Sequence, residues 1–143
     1  MWRKLIQSLE PQATFFPGAT PSELTALEKE IGISLPEELQ EMLQESNGVF
    51  GAYGLRLIWS IEDIRRTHRA MREGPFVTDY MSFENLLFFA DAGNGDQFAF
   101  CMVPRSLRRP DIFVWNHEND SRTWVAPSLK LYLEWWLSGK LSI

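Results

Sequence analysis

Residues 86–103 read Leu86-Leu87-Phe88-Phe89-Ala90-Asp91-Ala92-Gly93-Asn94-Gly95-Asp96-Gln97-Phe98-Ala99-Phe100-Cys101-Met102-Val103, and the fold reading turns on this stretch. Leu86 to Ala90 is a continuous apolar run of strand length. Asp91 to Asp96 is dense in turn formers, and Gln97 to Val103 is strand-like again. Two such runs around a short glycine-rich connection predict an antiparallel hairpin.

Downstream of the hairpin, Asp111 to Trp115 reads as another strand, Asn116 to Arg122 as a polar turn and Thr123 to Ala126 as its return. Pro127-Ser128 introduces a last helix carrying Leu129, Leu131, Tyr132, Leu133, Trp135, Trp136 and Leu137, with Gly139 as its cap. Upstream, Leu55 to Trp59 alternates as a short strand does, and Ser60-Ile61-Glu62-Asp63 starts a helix that Gly74-Pro75 stops.

The N-terminal third is helical. Trp2, Leu5, Ile6 and Leu9 fall at helical spacing, and Pro11 ends that segment. Thr20-Pro21-Ser22-Glu23 supplies a cap, a proline at the first helical position and a glutamate three residues after the cap. Leu24, Leu27 and Ile31 line one side, and Gly32 terminates the helix. Leu35-Pro36 opens the next helix, which turns Leu39, Met42 and Leu43 inward and ends at Asn47-Gly48. So short a link between the two makes them neighbours in space. Helices first, strands clustered in the middle and a closing helix predict an α+β domain with a mainly antiparallel sheet.

The 143 residues suit one domain, 1–143, and 45% apolar with 13% aromatic content is ample for its core. The single cysteine, Cys101, sits in an apolar run, so a reducing compartment is expected. No signal peptide is readable behind Arg3-Lys4, and no apolar run reaches the roughly 20 residues a membrane span needs. The expectation is a soluble, cytoplasmic protein.

The net charge of −5 is unevenly placed. Residues 20–50 hold seven acids, among them Glu37, Glu38 and Glu41, against Lys29 alone, a net of −6. Residues 51–75 hold five arginines against Glu62, Asp63 and Glu73, a net of +2. An acidic chain gains nothing from counterion release, which disfavours nucleic acid, whereas an acidic face suits a basic protein partner.

Chemistry is sparse. The turn Ala92-Gly93-Asn94-Gly95-Asp96 leads into a strand rather than a helix, and Asp91 and Asp96 would repel an anion, so a phosphate loop is disfavoured. It reads as a structural turn able to serve as an interaction tip. Asp91, Asp96, His117, Glu118 and Asp120 have metal-ligand chemistry but no recognised ligand spacing, and His117-Glu118-Asn119-Asp120 most simply fills a solvated turn. No metal, cofactor or catalytic residue is expected. No nucleophile motif is present, and His68 lies between Arg65, Arg66 and Arg69, where it is expected to be exposed. Arg65, Arg69 and Arg72 read as a solvated helix face, partly neutralised through Glu62–Arg66 and Arg69–Glu73 pairs, and Arg105, Arg108 and Arg109 form a second group; contact with an acidic partner or RNA is the alternative reading. Of the six tryptophans most should be core, and Trp115 and Trp124, flanking the polar turn, are the pair expected at a binding edge.

In order, these elements resemble the SUKH superfamily, which includes a fungal regulator of cell-wall synthesis and many bacterial immunity proteins. The resemblance rests on Glu28-x-x-x-Gly32-x-x-Leu35-Pro36, Leu43, Asn47-Gly48, the strand ending at Trp59, Leu87-Phe88-Phe89-Ala90-Asp91-x-Gly93-x-Gly95-Asp96, the strand pair around Trp115 and His117, and Pro127-Ser128-Leu129. It covers roughly residues 18–138. One departure is that relatives often place an acid just after the second hairpin strand, where this chain has Cys101-Met102. The resemblance implies no shared catalytic apparatus. It implies a protein that neutralises a cognate toxin, such as a basic nuclease, by stoichiometric binding. Partner contact is then expected at Asp91, Asn94, Asp96, Trp115, His117, Glu118 and Trp124 and along Glu37, Glu38 and Glu41. Two other readings stay open: a regulatory scaffold domain binding a host protein or small ligand, and a metal-dependent hydrolase.

Overall fold

A computed structural model of the chain describes residues 1–102 and 110–143. The described elements run α1 (Trp2–Leu9), β1 (Thr14–Phe15), α2 (Pro21–Ile31), α3 (Glu37–Glu45), β2 (Val49–Phe50), a 3-10 turn (Ala52–Gly54), β3 (Arg56–Ile58) and α4 (Ile61–Glu73). A second 3-10 turn (Pro75–Asp79) leads to β4 (Leu86–Asp91), β5 (Gln97–Cys101), β6 (Ile112–Trp115), β7 (Arg122–Ala126) and α5 (Leu129–Leu137). The domain is α+β, as its element order predicts.

The strands form two antiparallel sheets rather than one, in the orders β1-β2-β3 and β4-β5-β6-β7. The small sheet depends on two-residue strands, β1 and β2, too short to carry any alternation in sequence. The Trp59 N–H donates to the Phe89 carbonyl at 2.7 Å, which lays the end of the small sheet beside β4. β4 is the edge strand of its sheet, so its outer carbonyls lie outside the ladder, and Phe89 stands at an irregularity where Phe88 pairs with Ala99 but Ala90 with Phe98.

Both faces of the larger sheet are covered, which explains the unbroken apolar run from Leu86 to Ala90. On one face Phe89 and Phe98 meet Tyr132 of α5 with ring centroids 5.3 and 4.8 Å apart. On the other, Phe83 and Phe88 lie edge-on to Trp115 at 5.3 and 5.7 Å. The buried Tyr132 hydroxyl donates to the Leu57 carbonyl at 3.3 Å, tying α5 to β3.

Local signals set the helix ends. Thr20 and Glu23 form a reciprocal capping box, Pro21 occupies the first turn, and Gly32 closes α2 at φ 72°. Ser60 caps α4 through the Asp63 N–H. The start of α1 is capped from a distance: the Glu45 carboxylate accepts the N–H groups of Trp2 at 3.1 Å and Arg3 at 2.9 Å.

Two expectations about α4 are corrected. His68 is only 8% exposed, because Ile61, Ile64, His68 and Met71 fall on one helical stripe and that stripe faces the core. The arginines do not pair as Glu62–Arg66 and Arg69–Glu73. Among the described residues, Arg65 bonds Glu62 and Glu30, Arg69 reaches Glu30 at 3.4 Å, and Arg66 bonds Asp63. Packing α2 on α4 brings Glu30 to these arginines, and sequence spacing within α4 cannot register an acid on another helix. Arg72 is not a solvated side chain either; its guanidinium donates to the carbonyls of Phe83, Glu84 and Leu86 at 3.0, 3.2 and 3.1 Å, fastening the segment that enters β4. Arg105, Arg108 and Arg109 lie outside the described residues.

Candidate functional site

The turn after β4 is built from inside. The Ala92 N–H donates to the Asp96 carbonyl at 3.0 Å, and the Asp96 N–H donates to Asn94 Oδ1 at 3.0 Å. Gly95 sits at φ 98° against the His117 ring; a Cβ there would stand 2.6 Å from His117 Cε1. Glycine is required by both the backbone and the ring.

The turn after β6 has its own lock. Asn116 Oδ1 accepts the Glu118 N–H at 2.8 Å, and Asp120 takes the left-handed conformation at φ 60°. The Asp120 carboxylate accepts Trp115 Nε1 at 2.8 Å, the Met81 N–H at 2.8 Å and Arg122 Nη2 at 2.9 Å. Burial works to raise its pKa, but these donors and the Arg122 charge outweigh it and hold the carboxyl below its ordinary value. Arg122 donates onward to the carbonyls of Ser82 and Met81 at 2.7 and 2.8 Å and lies over the Phe83 ring, 4.7 Å from its centroid.

Asp96 joins the two turns. Its Oδ1 faces His117 Nδ1 at 2.7 Å and accepts the His117 N–H at 3.1 Å. Tyr80 then donates its hydroxyl to the His117 carbonyl at 3.0 Å. One end of the larger sheet is thereby fastened into a single polar surface.

Beside it lies a cleft of about 610 Å³ between the Ala52–Gly54 turn and the β4–β5 turn. Tyr53 stands at its mouth, 105% exposed, in the left-handed region at φ 59° and ψ 25°. Asp91 sits half-buried in the cleft, and burial pushes its carboxyl up; the Asp63 charge acts the same way, the Trp59 indole and Arg56 charge against it. The Trp59 indole N–H approaches that carboxyl without completing hydrogen-bond geometry, so its buried Nε1 stays unsatisfied. Arg56 is held by Asp63 at 3.1 Å and lies over the Phe50 ring.

The structure thus brings together Asp91, Asn94, Asp96, His117 and Glu118, residues from two separate turns of the sequence. Asn94 and Glu118 are exposed at the tips. Asp96, at 6% exposed, is a structural link with its Oδ1 bonded to His117. The expected aromatic pair is corrected. Trp115 is 4% exposed, because β6 aims it at Phe83 and Phe88 while its indole N–H reaches Asp120, whereas Trp124 on β7 is 46% exposed beside Trp135.

The acids of α3 lie elsewhere, on a helix that packs against α1 and α5. Glu38 accepts the Leu129 N–H at 3.1 Å and so caps α5, and Glu41 accepts Trp2 Nε1 at 3.4 Å. Glu28 accepts the Leu35 N–H at 2.7 Å, and Glu30 serves Arg65 and Arg69. Much of the acidic run therefore holds the helices together, and within α3 Glu37 and Glu41 are the exposed acids.

Sequence reading missed Tyr53. Its signal was present, an aromatic bracketed by glycines in Gly51-Ala52-Tyr53-Gly54, but strain is a property of the folded turn. Among the described residues no group of three or more His, Cys, Asp or Glu side chains is placed to hold a metal ion, and no helix is long and apolar enough to cross a membrane.

Paired helices ahead of a small sheet, a four-stranded meander with tied turns and a closing helix define this as an α+β domain of the SUKH class. The chain belongs to the SMI1 / KNR4 family (SUKH-1), whose model matches residues 18–135. No curated protein matches it.

Proposed function

We propose that this chain is a non-enzymatic, cytoplasmic binding domain of the immunity type, which neutralises a toxin protein by one-to-one association. The observation that carries the reading is the surface at the tied turns. Rigid polar turns are bordered by Tyr53 on one side and by the exposed Met81, held through Asp120 and Arg122, on the other. Aromatic and methionine side chains displayed on a pre-organised support are what interface cores are enriched in. Trp124, 46% exposed on edge strand β7 beside Trp135, is a further exposed aromatic at the sheet edge.

Membership of the family supports the reading at its own level. The polar groups with chemical potential also favour binding over catalysis, since Asp96, Asp120 and Glu38 are each engaged in bonds that hold elements together. The net charge of −5 would speed encounter with a basic partner.

The test is calorimetry of the purified protein with the product of a neighbouring toxin gene. Tight binding at one-to-one stoichiometry, weakened at least roughly tenfold by Trp124→Ala or Tyr53→Ala, is expected for hot-spot aromatics. A toxin that neither binds nor is inhibited sinks the reading.

A further inference from the structure

We propose that the cleft between Tyr53 and Asp91 is the receptor for one arginine side chain of the protein partner, whose guanidinium meets the Asp91 carboxylate and stacks on the Tyr53 ring. The inference rests on the reading of the chain as a protein-binding domain and adds which chemistry the partner must bring.

Asp91 is the starting point. Among the described residues it has no ion-pair partner within 4.0 Å, although it is half-buried in a cleft of about 610 Å³. Its only cationic neighbour in the lining, Arg56, is held at 3.1 Å by Asp63. A half-desolvated carboxylate whose nearest cation, Arg56, is already ion-paired to Asp63 is only partly compensated, and a second cation brought into contact regains part of what burial removed.

The walls favour arginine. Leu55 and Gly93 make the side of the cleft, and the missing side chain of Gly93, where a Cβ would stand 3.4 Å from Leu55 Cδ1, leaves that wall open to an incoming group. A flat guanidinium lies along such a wall, donates two parallel N–H bonds to a carboxylate, and loses less hydration than an ammonium. At the mouth, Tyr53 offers a full ring face for cation–π stacking. It is held at φ 59°, where tyrosine is strained, and strained residues persist where surrounding structure and function maintain them.

The experiment titrates 15N-labelled protein with N-acetyl-arginine amide and with N-acetyl-citrulline amide, which keeps the shape and lacks the charge. The expected result is saturable shifts at the amides of Tyr53, Gly54, Asp91 and Gly93 with arginine, and an affinity roughly tenfold weaker with citrulline, as loss of one charge-assisted contact implies. Asp91→Asn should erase that difference. Tyr53→Gly should weaken arginine binding without lowering the melting temperature, a combination a merely structural tyrosine does not give; this variant also carries the test if Asp91→Asn fails to fold. No shift at these amides, equal response to both probes, or unchanged arginine affinity in the variants overturns the inference. The two readings separate cleanly. A toxin that binds wild type and Asp91→Asn equally leaves the binding domain standing and removes the cleft. The expected probe response with no toxin binding does the reverse.

Discussion

His117 Nδ1 lies 2.7 Å from Asp96 Oδ1, and this contact fastens the β4–β5 turn to the β6–β7 turn across 21 residues of sequence. Because the same oxygen also accepts the His117 N–H, a single buried carboxylate fixes both the backbone and the ring of its partner.

Removing that carboxylate should loosen the whole end of the sheet. Asp96→Ala leaves the His117 N–H without its acceptor and is expected to lower stability by about 1–3 kcal/mol in urea denaturation, the range for an orphaned buried donor. Hydrogen exchange should rise at both turns together; a change confined to residues 92–96 would show that the link carries no coupling.

Gly95→Ala tests the packing beneath the ring. A Cβ at 2.6 Å from His117 Cε1, added to φ 98°, should destabilise by about 1–3 kcal/mol. In the His117→Ala background part of that penalty disappears, because the clash goes while the backbone strain stays. Strictly additive losses in the double-mutant cycle would show that the ring is not what excludes a side chain there.

His68 should make stability pH-dependent in acid. Burial, with the Arg72 charge beside it, pushes its pKa down to about 4, while the Ile31 backbone acts weakly the other way. The surrounding charges are Arg65, Arg69, Arg72, Glu30 and Glu73. Since the unfolded chain takes up the proton first, near its ordinary value of about 6.5, the contribution is intact above that pH. It is lost progressively as pH falls from about 6.5 toward 4, by up to about 3 kcal/mol, and is flat below. Subtracting the stability–pH curve of His68→Met from that of wild type should reveal this segment; superimposable curves would refute it.

Tyr53→Gly should be neutral to stabilising. Relief of about 1–2 kcal/mol of left-handed strain exceeds the roughly 0.5–1 kcal/mol that glycine's extra unfolded freedom costs. Thermal melts decide this directly, and a clear fall in melting temperature would mean that Tyr53 holds the turn rather than being held by it.

What the sequence determined by itself was local. The Thr20–Glu23 box, the Ser60 cap, Gly32 and the Leu86–Cys101 hairpin follow from short-range sterics and hydrogen bonding, so their residues suffice to read them. The apolar stripe Ile61, Ile64, His68, Met71 was equally present in the spacing; arginines on either side of His68 obscured it. What only the tertiary structure decided was which distant groups meet. Glu45 caps α1, Glu38 caps α5 and Glu30 gathers the arginines of α4, so acids that read as one surface face act mostly as internal fastenings. Trp115 and Trp124 look alike in sequence, yet the ladder buries one against Phe83 and leaves the other at the edge. The meeting of Asp96 with His117, and of Tyr53 with the Asp91 cleft, likewise depends on how two sheets and two turns are set against each other, because a hydrogen bond or a packed ring needs positions fixed to fractions of an ångström that no residue spacing along the chain encodes.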